Sequence, residues 1–199
     1  MAAVQLVFGW SGGRAMVSGL TVVRGGRDSE WATPRVALVE GPTGNRRIQP
    51  NGTATQIERS REPTEAQRFY HCAFFRAAMA HATRAHDDTL ILSAKFGPVH
   101  PWEVVDPYSD GFQDLDGREL SAWAERAVRW LCEDWPEGSL DVWVYAQPRV
   151  VDALRREMRK VRRSWHLIDP FDGMSELAHT ARIQWLKRQV ASVAAVDPR

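Results

Sequence analysis

DDTLILSAKFG, residues 87–97, is the stretch on which the fold turns. Its apolar centre, Leu90-Ile91-Leu92, has acids before it and Ser93, Lys95 and a Gly97-Pro98 turn after it. A short apolar run closed by turn signals is the pattern of a strand buried on both faces, here residues 88–93. Three other stretches read the same way: RVALVE at 35–40, LDVWVYA at 140–146 and SWHLIDP at 164–170. Helical patterns separate them. Thr64 and Gln67 form a capping box for a helix running to about His86, and Asp116 with Glu119 caps a second, GRELSAWAERAVRWLCEDW. Pro148 suits the first turn of a third, running to about Arg163. Ser175 caps the last, ELAHTARIQWLKRQV. Strand and helix alternate from residue 35, which predicts an α/β fold: an open, mainly parallel sheet of about four core strands with helices on both faces.

The rest of the chain is arranged around that unit. Residues 4–8 (VQLVF) and 17–23 (VSGLTVV) predict an N-terminal β-hairpin, so that residues 1–34 read as an extension. Residues 35–192 read as a single α/β domain and 193–199 as a frayed tail. The polar stretch 45–63 predicts a long loop.

With 199 residues, 44% hydrophobic and 26% charged, the chain is globular and too apolar to be disordered. A net charge of +1 gives no general attraction to nucleic acid, so any such binding needs a local patch. The two cysteines, Cys72 and Cys132, each fall inside a predicted helix and form no CxxC pair. They read as reduced thiols of a cytoplasmic protein. No apolar run reaches the roughly 18 residues of a membrane span, and the N-terminus lacks the pattern of a secretory signal. Nothing in the sequence calls for a cofactor or a metal.

Ligands of open parallel sheets bind beyond the carboxyl ends of the strands. Those ends are GPTGNRR, SAKFGPVHPW, AQP and DPFDGMS. GPTGNRR can cradle an anion with backbone N–H groups or be a plain turn; it is neither a Walker loop nor GxGxxG. Lys95 can reach a phosphate or carboxylate from the strand end, or extend into solvent. His100, Trp102, Glu103, Asp106 and Tyr108 share one loop. Glu103 or Asp106 can act as general acid/base, and Trp102 or Tyr108 can stack on a base; a surface loop pinned by Pro101 and Pro107 is the plainer alternative. Asp172 and Gly173 approach a ligand or form a turn. The helix RVVDALRREMRKVRR, 149–163, carries seven basic residues against two acids. It is either a solvated face or a phosphate-contacting one.

ILSAKFG followed by HPWEVVDPY resembles a group of small uncharacterised bacterial and phage domains that share LSAK[YH]G, then DP and PY. RVALVEGPTGNRR is similar to their first strand and loop, YHCAFFRAAMAHA to their first helix (YxSxLFRKARAYA), and PFDGMS with IQWLKR to their closing segment. The resemblance covers residues 35 to about 190. It implies a Rossmann-like fold, distantly YaaA-like and similar to domains associated with modified-base chemistry. It places Ser93, Lys95, Gly97, Pro107 and Tyr108 at motif positions. The group's first loop commonly carries a Cys and a Lys; here it reads EGPTGNRR, which speaks against cysteine chemistry and leaves Arg46 or Arg47 to supply the charge.

These readings converge on an enzyme of N-glycosidase or glycosyl-transfer type acting on a nucleoside, nucleotide or modified nucleobase. Lys95, Glu103 and Asp106 are the expected catalytic residues; Ser93, Gly97, Trp102, Tyr108, Arg46, Arg47 and Asp172 are the expected binding residues. The competing expectations are a nucleic-acid-binding protein using the 149–163 helix and a non-catalytic nucleotide-binding protein.

Overall fold

The computed structural model describes residues 33–41, 47–48, 54–55, 62–70, 72–174 and 179–196. In chain order they form β1 (Arg35–Glu40), β2 (Arg47–Ile48), β3 (Ala54–Thr55), β4 (Thr64–Glu65), α1 (Ala66–Phe69), α2 (Ala73–Ala85), β5 (Asp88–Ser93), β6 (Gly97–Val99) and β7 (Val104–Val105). There follow a single 3-10 turn at Phe112–Asp114, then α3 (Gly117–Asp134), β8 (Leu140–Tyr145), α4 (Pro148–Met158), β9 (Trp165–Ile168) and α5 (His179–Val196).

The main sheet has five strands in the order β6-β5-β1-β8-β9. β5, β1, β8 and β9 run parallel, and they are the four runs recognised in the sequence. The fifth, β6, folds back antiparallel on β5, with Ser93 opposite Gly97. It is an edge strand, where Pro98 removes no needed ladder donor. Gly97 opens it at φ +83, a left-handed conformation that favours glycine.

Alternation along each strand divides the core in two. Val36, Leu38, Leu90, Leu92, Val142 and Val144 pack against Trp123 and Leu131 of α3 and Leu154 of α4. Ala37, Val39, Ile91 and Tyr145 face the other way, against α1, Phe75 and Ala78 of α2, and Leu186 of α5. Strands covered on both faces have no polar side to show, which is why their central residues are apolar.

The helix expected over 64–86 is broken. Thr64–Glu65 pairs with Val104–Val105 as a two-residue ladder, α1 has no side-chain cap, and Gln67 donates to Glu65 rather than closing a box with Thr64. Tertiary strand pairing overrides the local capping signal here. Cys72, expected inside the helix, instead caps α2: its sulfur accepts from the Phe75 N–H at 3.3 Å. The Asp116/Glu119 box does form, with Asp116 accepting from Arg118 and Glu119 N–H and Glu119 accepting from Asp116 N–H. α4 begins at Pro148 as expected but ends at Met158, short of Arg163. α5 continues to Val196, past the start of the expected tail. Within the expected loop 45–63, β2 and β3 pair antiparallel. The N-terminal hairpin, Arg46 and the Ser175 cap lie outside the described residues.

Candidate functional site

The sheet order reverses its direction of winding between β1 and β8. β1 continues through α2 to β5 on one side, whereas β8 continues through α4 to β9 on the other. Neighbouring strands whose connections leave in opposite directions make the switch point where ligands of such sheets bind. The last residue of β1 is Glu40, only 7% exposed. Both of its carboxyl oxygens are held from the start of α4: the Gln147 backbone N–H donates to one at 2.6 Å and the Gln147 side-chain amide to the other at 2.8 Å. Burial pushes the Glu40 pKa up to about 7; the two Gln147 hydrogen bonds and the positive charge of Arg149 oppose that shift without cancelling it. Arg149 is itself anchored by donating to the Leu115 carbonyl at 2.7 Å.

Beside Glu40 the chain is pressed against an aromatic cluster. A methyl group on Gly41 would lie 2.5 Å from Cζ of Tyr70, so only glycine fits beside that ring. Tyr70 is buried, edge-on to Phe69 at 4.9 Å between centroids, and its hydroxyl meets that of Tyr108. The Tyr108 hydroxyl in turn accepts from Ser93 Oγ at 2.8 Å, and Ser93 Oγ accepts from the Phe96 and Lys95 N–H groups at 3.1 and 3.3 Å. Ser93 is fully buried at the end of β5, and its carbonyl accepts from the Trp123 indole at 2.9 Å. A strand ends on serine here because one hydroxyl satisfies the turn's N–H groups and fixes a tyrosine. Cys72 lies near enough that the Glu40 charge adds to burial in raising its thiol pKa.

Several of the sequence-predicted residues gather at this edge. The Lys95 ammonium stands 5.0 Å from the Phe96 ring centroid and 5.9 Å from that of Tyr108, with Lys95 itself exposed. Gly97 is the first residue of β6, directly after the turn. Glu103 and Asp106 are exposed, and the Glu103 carbonyl accepts from Ala66 N–H at the head of α1. Trp102, 63% exposed, stacks on His100 at 4.7 Å. Asp172 lies apart from these, beyond the end of β9, where it lines a cavity of about 160 Å³. Arg47 belongs to β2. Sequence reasoning missed Glu40, Gln147 and Tyr70. Glu40 carried a readable signal, an acid closing a fully apolar strand just before glycine.

The family of unknown function DUF6884 matches residues 54–188, more than half of the chain. The chain belongs to that family. No curated protein and no solved structure matches it. The DUF6884 match contains Tyr70, Ser93, Tyr108 and Gln147, while β1 with Glu40 precedes it.

Two further features of this DUF6884 chain bear on function. On the α2 face, the buried Tyr145 hydroxyl lies between His81 Nδ1 at 2.9 Å and His86 Nε2 at 2.7 Å. Burial raises the Tyr145 pKa and lowers both histidines, His86 to about 4. In the basic segment 149–163, Arg163 donates to the Cys132 carbonyl, Arg155 pairs with Asp152 at 2.9 Å and Lys160 with Glu157 at 2.7 Å. With Arg149 also anchored, much of that charge is engaged within the fold. Among the described residues, no three His, Cys, Asp or Glu side chains are grouped to hold a metal ion, and no helix is long and apolar enough to cross a membrane.

Proposed function

We propose that the protein is an enzyme acting on the N-glycosidic bond of a nucleoside, nucleotide or modified nucleobase in a Rossmann-like crevice, with Glu40 as its general acid/base. The observation that carries this reading is Glu40: a buried carboxyl at the switch point, held by Gln147, with a pKa brought to about 7. A group balanced between its two forms at neutral pH can give a proton to a departing base or take one from water. Cleavage of a glycosidic bond builds positive charge on the sugar, which an ionised carboxylate stabilises. Phe96, 41% exposed at the end of β5, offers a face for the flat base, and Lys95 beside it offers a cation to an anionic edge. Glu103 and Asp106 stand in solvent, so the acid/base role expected of them passes to Glu40.

The test is release of free base from a panel of ribo- and deoxyribonucleosides, their monophosphates and deazapurine analogues, followed by chromatography with mass detection. Glu40→Gln is expected to lower the rate by about 10²-fold or more, and Lys95→Ala to raise KM. A Glu40→Gln protein with full activity would refute the assignment. No release from any substrate would favour a binding protein.

A further inference from the structure

The cavity that Asp172 lines lies between the carboxyl ends of β8 and β9, roofed by the first turns of α4 and by α5. Ala146 and Pro148 form part of its wall, and the residue between them, Gln147, is the one that holds Glu40. Phe171 contributes an aromatic surface, with the Arg182 guanidinium 5.4 Å from its centroid. Asp169 and Asp172 supply carboxylates and Arg155 and Arg182 guanidiniums. At about 160 Å³ the cavity is smaller than the roughly 300–1,000 Å³ of a site for a drug-sized molecule. It suits a fragment of a ligand.

We infer that this cavity is the subsite for an unphosphorylated pentose, the sugar half of the substrate whose base lies toward Phe96. The inference rests on the glycosidic reading above, and sheet order carries it. Adjacent strands lie about 4.8 Å apart, and β5, β1, β8 and β9 are consecutive. Phe96 is at the β5 end, Glu40 at the β1 end and the cavity at the β8–β9 gap. In strand order Glu40 lies between Phe96 and the cavity, which are separated by roughly 12 Å, so a ligand that reaches from one to the other passes the end of β1.

Charge selects the sugar's form. Three carboxylates (Asp152, Asp169 and Asp172) face two guanidiniums, and Arg155 is already bonded to Asp152. A phosphate dianion enters such a site against net negative charge. A neutral polyol does not: its hydroxyls donate to the aspartates and accept from the arginines, as a carboxylate holds ribose hydroxyls in dinucleotide sites.

The experiment is a saturation-transfer NMR titration of the full chain with D-ribose and, separately, ribose 5-phosphate. D-ribose is expected to bind, and ribose 5-phosphate about tenfold more weakly or not at all. Asp169→Asn removes a charged acceptor while its amide oxygen keeps the 2.8 Å bond from Phe171 N–H; it is expected to weaken D-ribose about tenfold or more. The exposed Asp172→Asn serves as the second variant, safe for the fold. Ribose 5-phosphate binding as tightly as ribose, no ribose binding, or ribose binding indifferent to both substitutions would overturn the inference. Base release with no ribose binding would sink the subsite and spare the glycosidic reading; aspartate-dependent ribose binding without base release would do the reverse.

Discussion

Gln147 grips Glu40 with both of its donors, backbone N–H at 2.6 Å and side-chain amide at 2.8 Å, and so ties the end of β1 to the start of α4 across the switch point. The pair sets up a measurable conflict. Two hydrogen bonds favour the carboxylate, yet burial outweighs them and lifts the pKa from 4.5 to about 7. Between those values the folded protein keeps a proton that the unfolded chain has lost. Stability from this group is therefore full below about pH 4.5 and falls as pH rises toward 7, by about 3 kcal/mol at most. Glu40→Gln removes the effect: its amide can donate to a flipped Gln147 side chain and accept from the Gln147 N–H. Urea denaturation is expected to show the variant gaining on the wild type between pH 5 and pH 8. An equal difference at both pH values would mean that Glu40 is ionised throughout.

Gly41→Ala tests the contact beside it. The added methyl would sit 2.5 Å from Cζ and 2.7 Å from the hydroxyl of Tyr70. That ring has no room to yield, being buried against Phe69 and Phe75 and joined to Tyr108. Overpacking of this kind costs about 1–3 kcal/mol. Thermal denaturation should show the loss, and the double variant with Tyr70→Leu should lose less than the two single costs added together.

Ser93→Ala removes one hydroxyl that serves three partners: it accepts from two turn N–H groups and donates to Tyr108. Ser93 is fully buried, so its loss leaves those N–H groups without the acceptor that the strand end provides. A cost of about 1–3 kcal/mol is expected, read as a lower urea midpoint at unchanged slope. Ser93→Gly with the same cost as alanine would locate the effect in the hydroxyl. Tyr108→Phe should cost less, since Ser93 would keep both N–H bonds.

The four parallel strands were legible in the sequence because each has a short apolar run bounded by turn signals; β1 and β5 are the most fully buried, whereas β9 is only partly covered. β6 was not: Gly97-Pro98-Val99 has the composition of a turn, and only its pairing with Ile91–Ser93 makes it a strand. The same holds for Thr64–Glu65, whose capping pattern gives way to pairing with Val104–Val105. Strand-end logic singles out Ser93, Lys95 and Tyr108, which the structure brings to one edge, because their spacing along the chain is short. Glu40 and Gln147 are 107 residues apart, and Tyr70 meets Tyr108 across 38. Contacts set by sheet order leave no local trace in the chain.

His86 pulls stability in the direction opposite to Glu40. Burial, then the neighbouring His81, lowers its pKa from 6.5 to about 4, and the Tyr145 hydroxyl lies 2.7 Å from its Nε2. A depressed histidine gives stability that is full above pH 6.5 and is lost as pH falls toward 4, because the unfolded chain takes a proton that the folded one refuses. Between about pH 4.5 and 6.5 the two groups offset one another in the wild type. Glu40→Gln should unmask the histidine: its denaturation midpoint is expected to fall steadily from pH 6.5 to 4.5, where the two groups offset one another in the wild type. Tyr145→Phe, which takes the shared hydroxyl from His81 and His86 at once, should cost about 1–3 kcal/mol at pH 7. If the Glu40→Gln midpoint is as flat as that of the wild type, His86 takes up a proton in the folded state well above pH 4 and the buried Tyr145 pairing does not exclude its charge.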